Sequence, residues 1–317
     1  MNLRSAPKVW VFAILAGVAL TVYIAWRLGG RPAPDLAGNA SVDPALRVSI
    51  DFHAVRAVPA GLLLFHRALN LGDQLSRWVT LLQEEKILER MDIILDEKGA
   101  YILTRGDFTP QSLRQSIERA GGRCAGSLQE YPCTLSADPA GCTISVFTPA
   151  NGRFTAACAA TVENAASMAE QAEAHTGLAA SLGSEDSFDG LGRIAVNPVR
   201  LDPLMRDPPA FLPNLSIVAR ALEKARRAEF LLQGDAQGGL AIRLEALSET
   251  EPEAEQLHTL LGGLNEFGAA AADFGRGEKE SSDWSTLLRS AQFARRGTAV
   301  TGVWTIDAGL LRRLTAE

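Results

Sequence analysis

The sequence predicts an α+β protein: an N-terminal transmembrane helix followed by two related halves, each an antiparallel or mixed sheet with helices packed on it in the ferredoxin-like manner. Three observations carry this expectation. Residues 9–26 contain no charged side chain, apolar residues alternate with polar ones in paired runs separated by turn residues, and the order strand, helix, hairpin, helix occurs twice at an offset of roughly 140 residues. Hairpins covered by helices on one face argue against a doubly wound parallel sheet. The expected organisation is a cytoplasmic tail over 1–8, an anchor over 9–26, a linker over 27–44, a first half over 45–176 and a second over 189–317.

The anchor is framed by Arg4 and Lys8 before it and Arg27 and Arg31 after it. At the helical rise it spans roughly 27 Å, close to the ~30 Å hydrocarbon layer of a bilayer. A cleaved signal peptide would have an apolar core of about 7–15 residues and a small-x-small cleavage site. Here the core is longer and ends in Trp26 and Arg27, so an uncleaved anchor is the better reading. The flanking charges nearly balance, and the free amino terminus with Asp35 tips the orientation toward N-inside. Ala13, Gly17, Thr21 and Ala25 share one face of this helix, where small side chains let a second helix approach, although Gly and Ala are common in membrane helices anyway.

The linker is rich in Gly, Pro, Ala and Asn. Leu46, Val48, Ile50 and Phe52 then alternate with polar residues, which predicts a strand with one buried face. Over 61–85 the period changes, and Leu71, Leu75, Trp78, Val79 and Leu82 give a helical stripe. A hairpin turns at Asp96-Glu97-Lys98-Gly99. Thr109 and Pro110 open a helix as N-cap and first residue, and Gly121-Gly122 ends it. Two cysteine-bearing hairpins and a helix over 161–175 complete the first half.

Residues 176–188 are the expected internal boundary. A strand over 192–201, a helix over 215–226 and a hairpin around 234–239 follow. A long helix starts near Pro252 with Leu257, Leu260, Leu261, Leu264 and Phe267 on its apolar side. After a polar loop over 275–283 come a short helix, a strand over 298–305 and a last helix from Asp307.

The four cysteines, Cys124, Cys133, Cys142 and Cys158, are clustered and even in number. There is no CxxC pair and no histidine among them, which disfavours zinc and redox roles and favours disulfides in an oxidising compartment. Three pairings are open. Turns near Leu128-Gln129 and over 149–151 favour Cys124 with Cys133 and Cys142 with Cys158.

The net charge of −6 gives no reason to expect nucleic acid. The four histidines, His53, His66, His175 and His258, form no HxxxH or HExxH pair. No GxSxG or SxxK motif and no P-loop is present, and Gly190-Leu191-Gly192 precedes a strand instead of following one. Asp92, Asp96 and Glu97 read as a polar strand end and turn. Glu249, Glu251, Glu253 and Glu255 read as a helix start, where negative charge offsets the dipole. No catalytic residue, metal or cofactor is assigned.

The anchor, LRVSIDF, GDFTPQSLRQSIERAGG and TGVWTIDAGLLRRL together resemble a loose group of uncharacterised single-pass bacterial envelope proteins with two-repeat α+β ectodomains. The resemblance implies a bacterial inner-membrane location, with the main domain periplasmic. The expected function is a non-enzymatic binding or assembly role, with the bilayer, an envelope protein or a second copy as partner. A hydrolase with its site between the halves is the alternative.

Overall fold

A computed structural model describes residues 45–58, 77–78, 80–82, 88–96, 99–107, 109–124, 133–137, 142–147, 153–159, 189–200, 222–234, 237–274 and 280–315. The protein is a mixed α+β chain whose strands pair antiparallel. It divides into two compact units. The first holds the described residues within Ala19–Val55 and Phe65–Phe188, and the second those within Arg56–Leu64 and Asp189–Glu317.

In the first unit β1 (Leu46–Asp51) runs straight into α1 (Phe52–Ala57), of which residues up to Val55 belong to this unit, followed by β2 (Leu88–Asp96), β3 (Gly99–Gly106), α2 (Pro110–Arg119), β4 (Arg123–Cys124), β5 (Cys133–Ala137), β6 (Cys142–Phe147) and β7 (Arg153–Ala159). The strand order is β1-β2-β3-β7-β6-β5-β4. The strand expected to include Phe52 ends one residue earlier. Asp51 Oδ1 accepts the Ala54 N–H at 2.9 Å, which caps α1 and turns Phe52 into a helical, fully buried residue. Nor does β1 have a simple solvent face, because Ser49 is as buried as its apolar neighbours.

The β2–β3 hairpin closes with Asp96 opposite Gly99. The start of α2 is a reciprocal cap: Ser112 N–H donates to Thr109 Oγ1 at 3.1 Å and Thr109 N–H donates to Ser112 Oγ at 3.0 Å. The end is set by Gly121, whose φ of 94° suits glycine. Between them Leu113 and Ile117, one turn apart, are fully buried. Trp78 is buried too, and its indole N–H donates to Ser116 Oγ at 2.9 Å.

In the second unit β8 (Gly192–Val196), β9 (Arg227–Gly234), β10 (Leu240–Leu247), α3 (Glu251–Phe274), α4 (Glu280–Arg289), β11 (Gln292–Arg296), β12 (Ala299–Ile306) and α5 (Ala308–Thr315) follow in sequence. The strand order is β8-β9-β10-β12-β11. Leu240, Ile242, Leu244 and Ala246 point into the core and face Ile306, Trp304, Gly302 and Val300 of β12 across the ladder. Ala254 and Leu257 of α3, Leu287 of α4 and Leu310 of α5 are buried in the same unit.

The expected strand over 192–201 stops at Val196. Asn197 Oδ1 accepts the Arg200 N–H at 3.3 Å, and Pro198 fits the first helical position, so the chain turns helical at 198–200. The polar loop expected over 275–283 is shorter, because Glu280 already opens α4. The strand β11 was not anticipated at all.

The apolar side expected for the long helix is also corrected: Leu260 is 41% and Phe267 71% exposed, while the core takes Ala254, Leu257 and Ala269. Large side chains cover too wide an arc of α3 for one sheet to bury them all.

Among the described residues no helix is long and apolar enough to cross a membrane. The expected anchor with Ala13, Gly17, Thr21 and Ala25, the linker, most of the helix over 61–85, and the segments 161–175 and 176–188 lie outside the described residues.

Candidate functional site

The second unit carries a groove of about 370 Å³ between α3, the end of α4 and the start of β11. Its position follows from how α3 is fixed. Thr250 and Glu253 form a capping box, with Thr250 N–H donating to Glu253 Oε2 at 3.1 Å. Further along, Asn265 Nδ2 donates at 2.7 Å to the Leu288 carbonyl in the last turn of α4, which also accepts the Ala291 N–H at 3.1 Å. Asn265 Oδ1 accepts from Trp304 Nε1 at 3.2 Å, which ties the same helix to β12. Arg295 Nε lies 2.8 Å from Glu255 Oε2 and joins β11 to α3.

Phe293 forms one wall of the groove. It stands directly opposite Gly302, where any Cβ would lie 2.8 Å from the ring, and it meets Trp304 edge-on at 5.3 Å. Gly262, Ala270 and Ala291 keep the groove open, and Glu266 and Arg289 place one charge of each sign at it. A Cβ added at Gly262 would meet nothing within 4 Å. Such a lining suits the holding of a ligand chain, since it is mainly small and apolar with few polar groups to orient what binds.

β11 ends the strand order of this unit, with a ladder partner on its β12 side alone among the described residues. The hairpin joining it to β12 turns at Gly297, whose φ is 59°.

Among the described residues the most buried charge lies elsewhere, in the first unit. Asp92 stands opposite Ser49 on β1, with its side chain 6% exposed, and accepts from the Ser49 hydroxyl. Arg47 Nη2 lies 3.2 Å and Arg90 Nε 3.0 Å from its two oxygens. This corrects the reading of Asp92 as part of an ordinary polar turn; it is the hub of a β1–β2 ion cluster. The carboxylate is acceptor-only, so the two guanidinium groups and the hydroxyl supply the donors that burial demands.

The second unit repeats the arrangement. Arg193 on β8 lies 2.8 Å through Nε from Glu229 Oε1 on β9, off the line of a hydrogen bond, while its Nη2 donates to Oε2 at 2.8 Å. Arg227, two residues before Glu229 as Arg90 is before Asp92, is 3.4 Å away. Ala195 faces Glu229 as Ser49 faces Asp92, and Arg47 and Arg193 each precede that facing residue by two.

Of the cysteines, Cys124 and Cys133 stand opposite one another on β4 and β5 and are joined by a disulfide, with Cα atoms 4.2 Å apart. Cys158 faces Ile144, not Cys142, so the expected direct opposition of Cys142 and Cys158 is replaced by a diagonal one; their side chains lie outside the described residues. Trp304 is buried, edge-on against Phe293. His53 is exposed on α1 and His258 half-buried on α3. Among the described residues no three His, Cys, Asp or Glu side chains gather closely enough to hold a metal.

The groove has no one-dimensional signature, because its lining comes from three elements. The ion clusters do have one in outline, a charged residue at every second position of a strand, here Arg90 with Asp92 and Arg227 with Glu229.

No protein-family model matches the chain, and no curated protein matches it. Solved structures of TP0453 in crystal forms III, IV and I are similar at TM-scores of 0.45, 0.45 and 0.42, with identities of 10%, 9% and 10%. They cover 88%, 92% and 88% of this chain and 100%, 98% and 99% of their own.

Proposed function

We propose that the chain is a binding protein of the bacterial envelope, held at the inner membrane by residues 9–26 with both α+β units outside the cytoplasm, and that it acts by docking a partner protein. The groove of about 370 Å³ between α3 and the β11 edge carries the binding part of this reading. The Cys124–Cys133 disulfide supports the placement, since such bonds persist in oxidising compartments. The recurrence of the arginine–carboxylate cluster at matching register supports two related halves, each a ferredoxin-like sheet with its own helices.

The test is photo-crosslinking in intact membranes from a probe at Ala270, comparing the full chain with one lacking residues 1–26. One envelope protein recovered with the full chain and lost without the anchor is the expected result. Recovery of lipid or nothing from the groove, with a small molecule retained by the purified protein, would instead move the reading to a ligand carrier.

A further inference from the structure

We infer that the β11 edge and the groove beside it bind an extended, carboxylate-bearing segment of the partner, which joins the sheet as an added strand. The inference rests on the binding role proposed above and names the chemistry of what is bound.

Three observations converge on this occupant. The first is hydrogen bonding: in an antiparallel pair, alternate residues turn their N–H and C=O groups away from the partner strand. With no second ladder partner among the described residues, β11 therefore offers outward donors and acceptors on the side away from β12 that another extended backbone matches in spacing. The second is shape. An extended chain directs every second side chain to one face, and the groove meets that face with Gly262, Ala270 and Ala291. At about 370 Å³ it has room for a few side chains and is too small to seat a helix of several turns.

The third is charge. Arg295 and Arg296 are exposed on β11, and Arg289 is exposed at the groove; Glu255 and Glu266 are the nearby acids, with Glu255 held by Arg295 at 2.8 Å. A second copy pairing antiparallel along β11 would bring four arginines into one seam, which like-charge repulsion opposes. A strand bearing Asp or Glu turns the same guanidinium groups into partners. The arginines thus reject self-pairing and select an acidic strand.

The test is selection of random ten-residue peptides displayed on phage against the immobilised full chain, followed by fluorescence anisotropy with the synthetic winner. The expected winners alternate apolar residues with Asp or Glu. Gly262→Leu, which fills the groove without a clash at its Cβ, should weaken binding at least tenfold without lowering the melting temperature. N-methylating alternate backbone amides along one edge of the peptide should weaken binding at least tenfold, and doing so along the other edge should change it little. Arg295→Glu with Arg296→Glu should abolish binding of the acidic winner.

Winners that are basic, that become helical on binding, or that bind the Gly262→Leu variant equally well would overturn the inference, as would a selection returning no Gly262-dependent sequence. Should an envelope partner be crosslinked by wild type and the Gly262→Leu variant alike, the binding role would stand and this site would fall.

Discussion

At the residue scale, two glycines make opposite predictions. A Cβ at Gly122 would lie 2.5 Å from Ile117 Cγ2 and 2.8 Å from the Thr134 carbonyl, both held in place by the core. Gly122→Ala should therefore destabilise the first unit by about 1–3 kcal/mol in urea unfolding. Gly262, inside α3 and facing open space, only loses helix propensity, so Gly262→Ala should stabilise by up to about 1 kcal/mol. The two clustered carboxylates differ with their exposure. Asp92→Asn leaves two arginines beside a neutral amide at a side chain 6% exposed and should cost toward the lower end of ~3–5 kcal/mol, since the arginines themselves are 16% and 21% exposed. The Glu229 side chain is 29% exposed, and Glu229→Gln should cost about 1 kcal/mol or less. Chemical denaturation of the two variants, read side by side, checks the ranking.

At the scale of elements, what the sequence makes legible is what local chemistry decides. Thr109, Pro110 and Gly121 specify both ends of α2 with no help from the rest of the chain, and Thr109→Ala should cost about 1 kcal/mol by removing one side of the cap. Alternation on β10 is equally readable, because one face is buried along the whole strand. The pattern fails where tertiary contact decides. Gln292-Phe293-Ala294-Arg295-Arg296 has little periodicity, yet it pairs with β12 because Gly302 leaves space for the Phe293 ring. On α3 the row from Leu257 to Phe267 looks like a core stripe, and only the position of the sheet shows that Leu260 and Phe267 lie on the outer side. Ser49 reads as a solvent residue until Asp92 is placed opposite it. The candidate groove was illegible for a related reason: Gly262, Glu266, Arg289 and Phe293 come together only after three elements have packed.

At the scale of the whole molecule, the proposed anchor makes a direct prediction. The full chain should stay in the membrane pellet through an alkaline carbonate wash, and removal of residues 1–26 should release it to the supernatant; release of the full chain would remove the anchor from the account. The Cys124–Cys133 bond has a further use in such cells. β4 is two residues long and too short to hold itself on a sheet, so its closure depends on the bond to β5. Thiols of a newly made chain remain open to alkylating reagents until it meets an oxidising environment. In a background with Cys142→Ser and Cys158→Ser, the moment at which Cys124 and Cys133 stop reacting would, on the placement proposed here, time the passage of the chain across the bilayer.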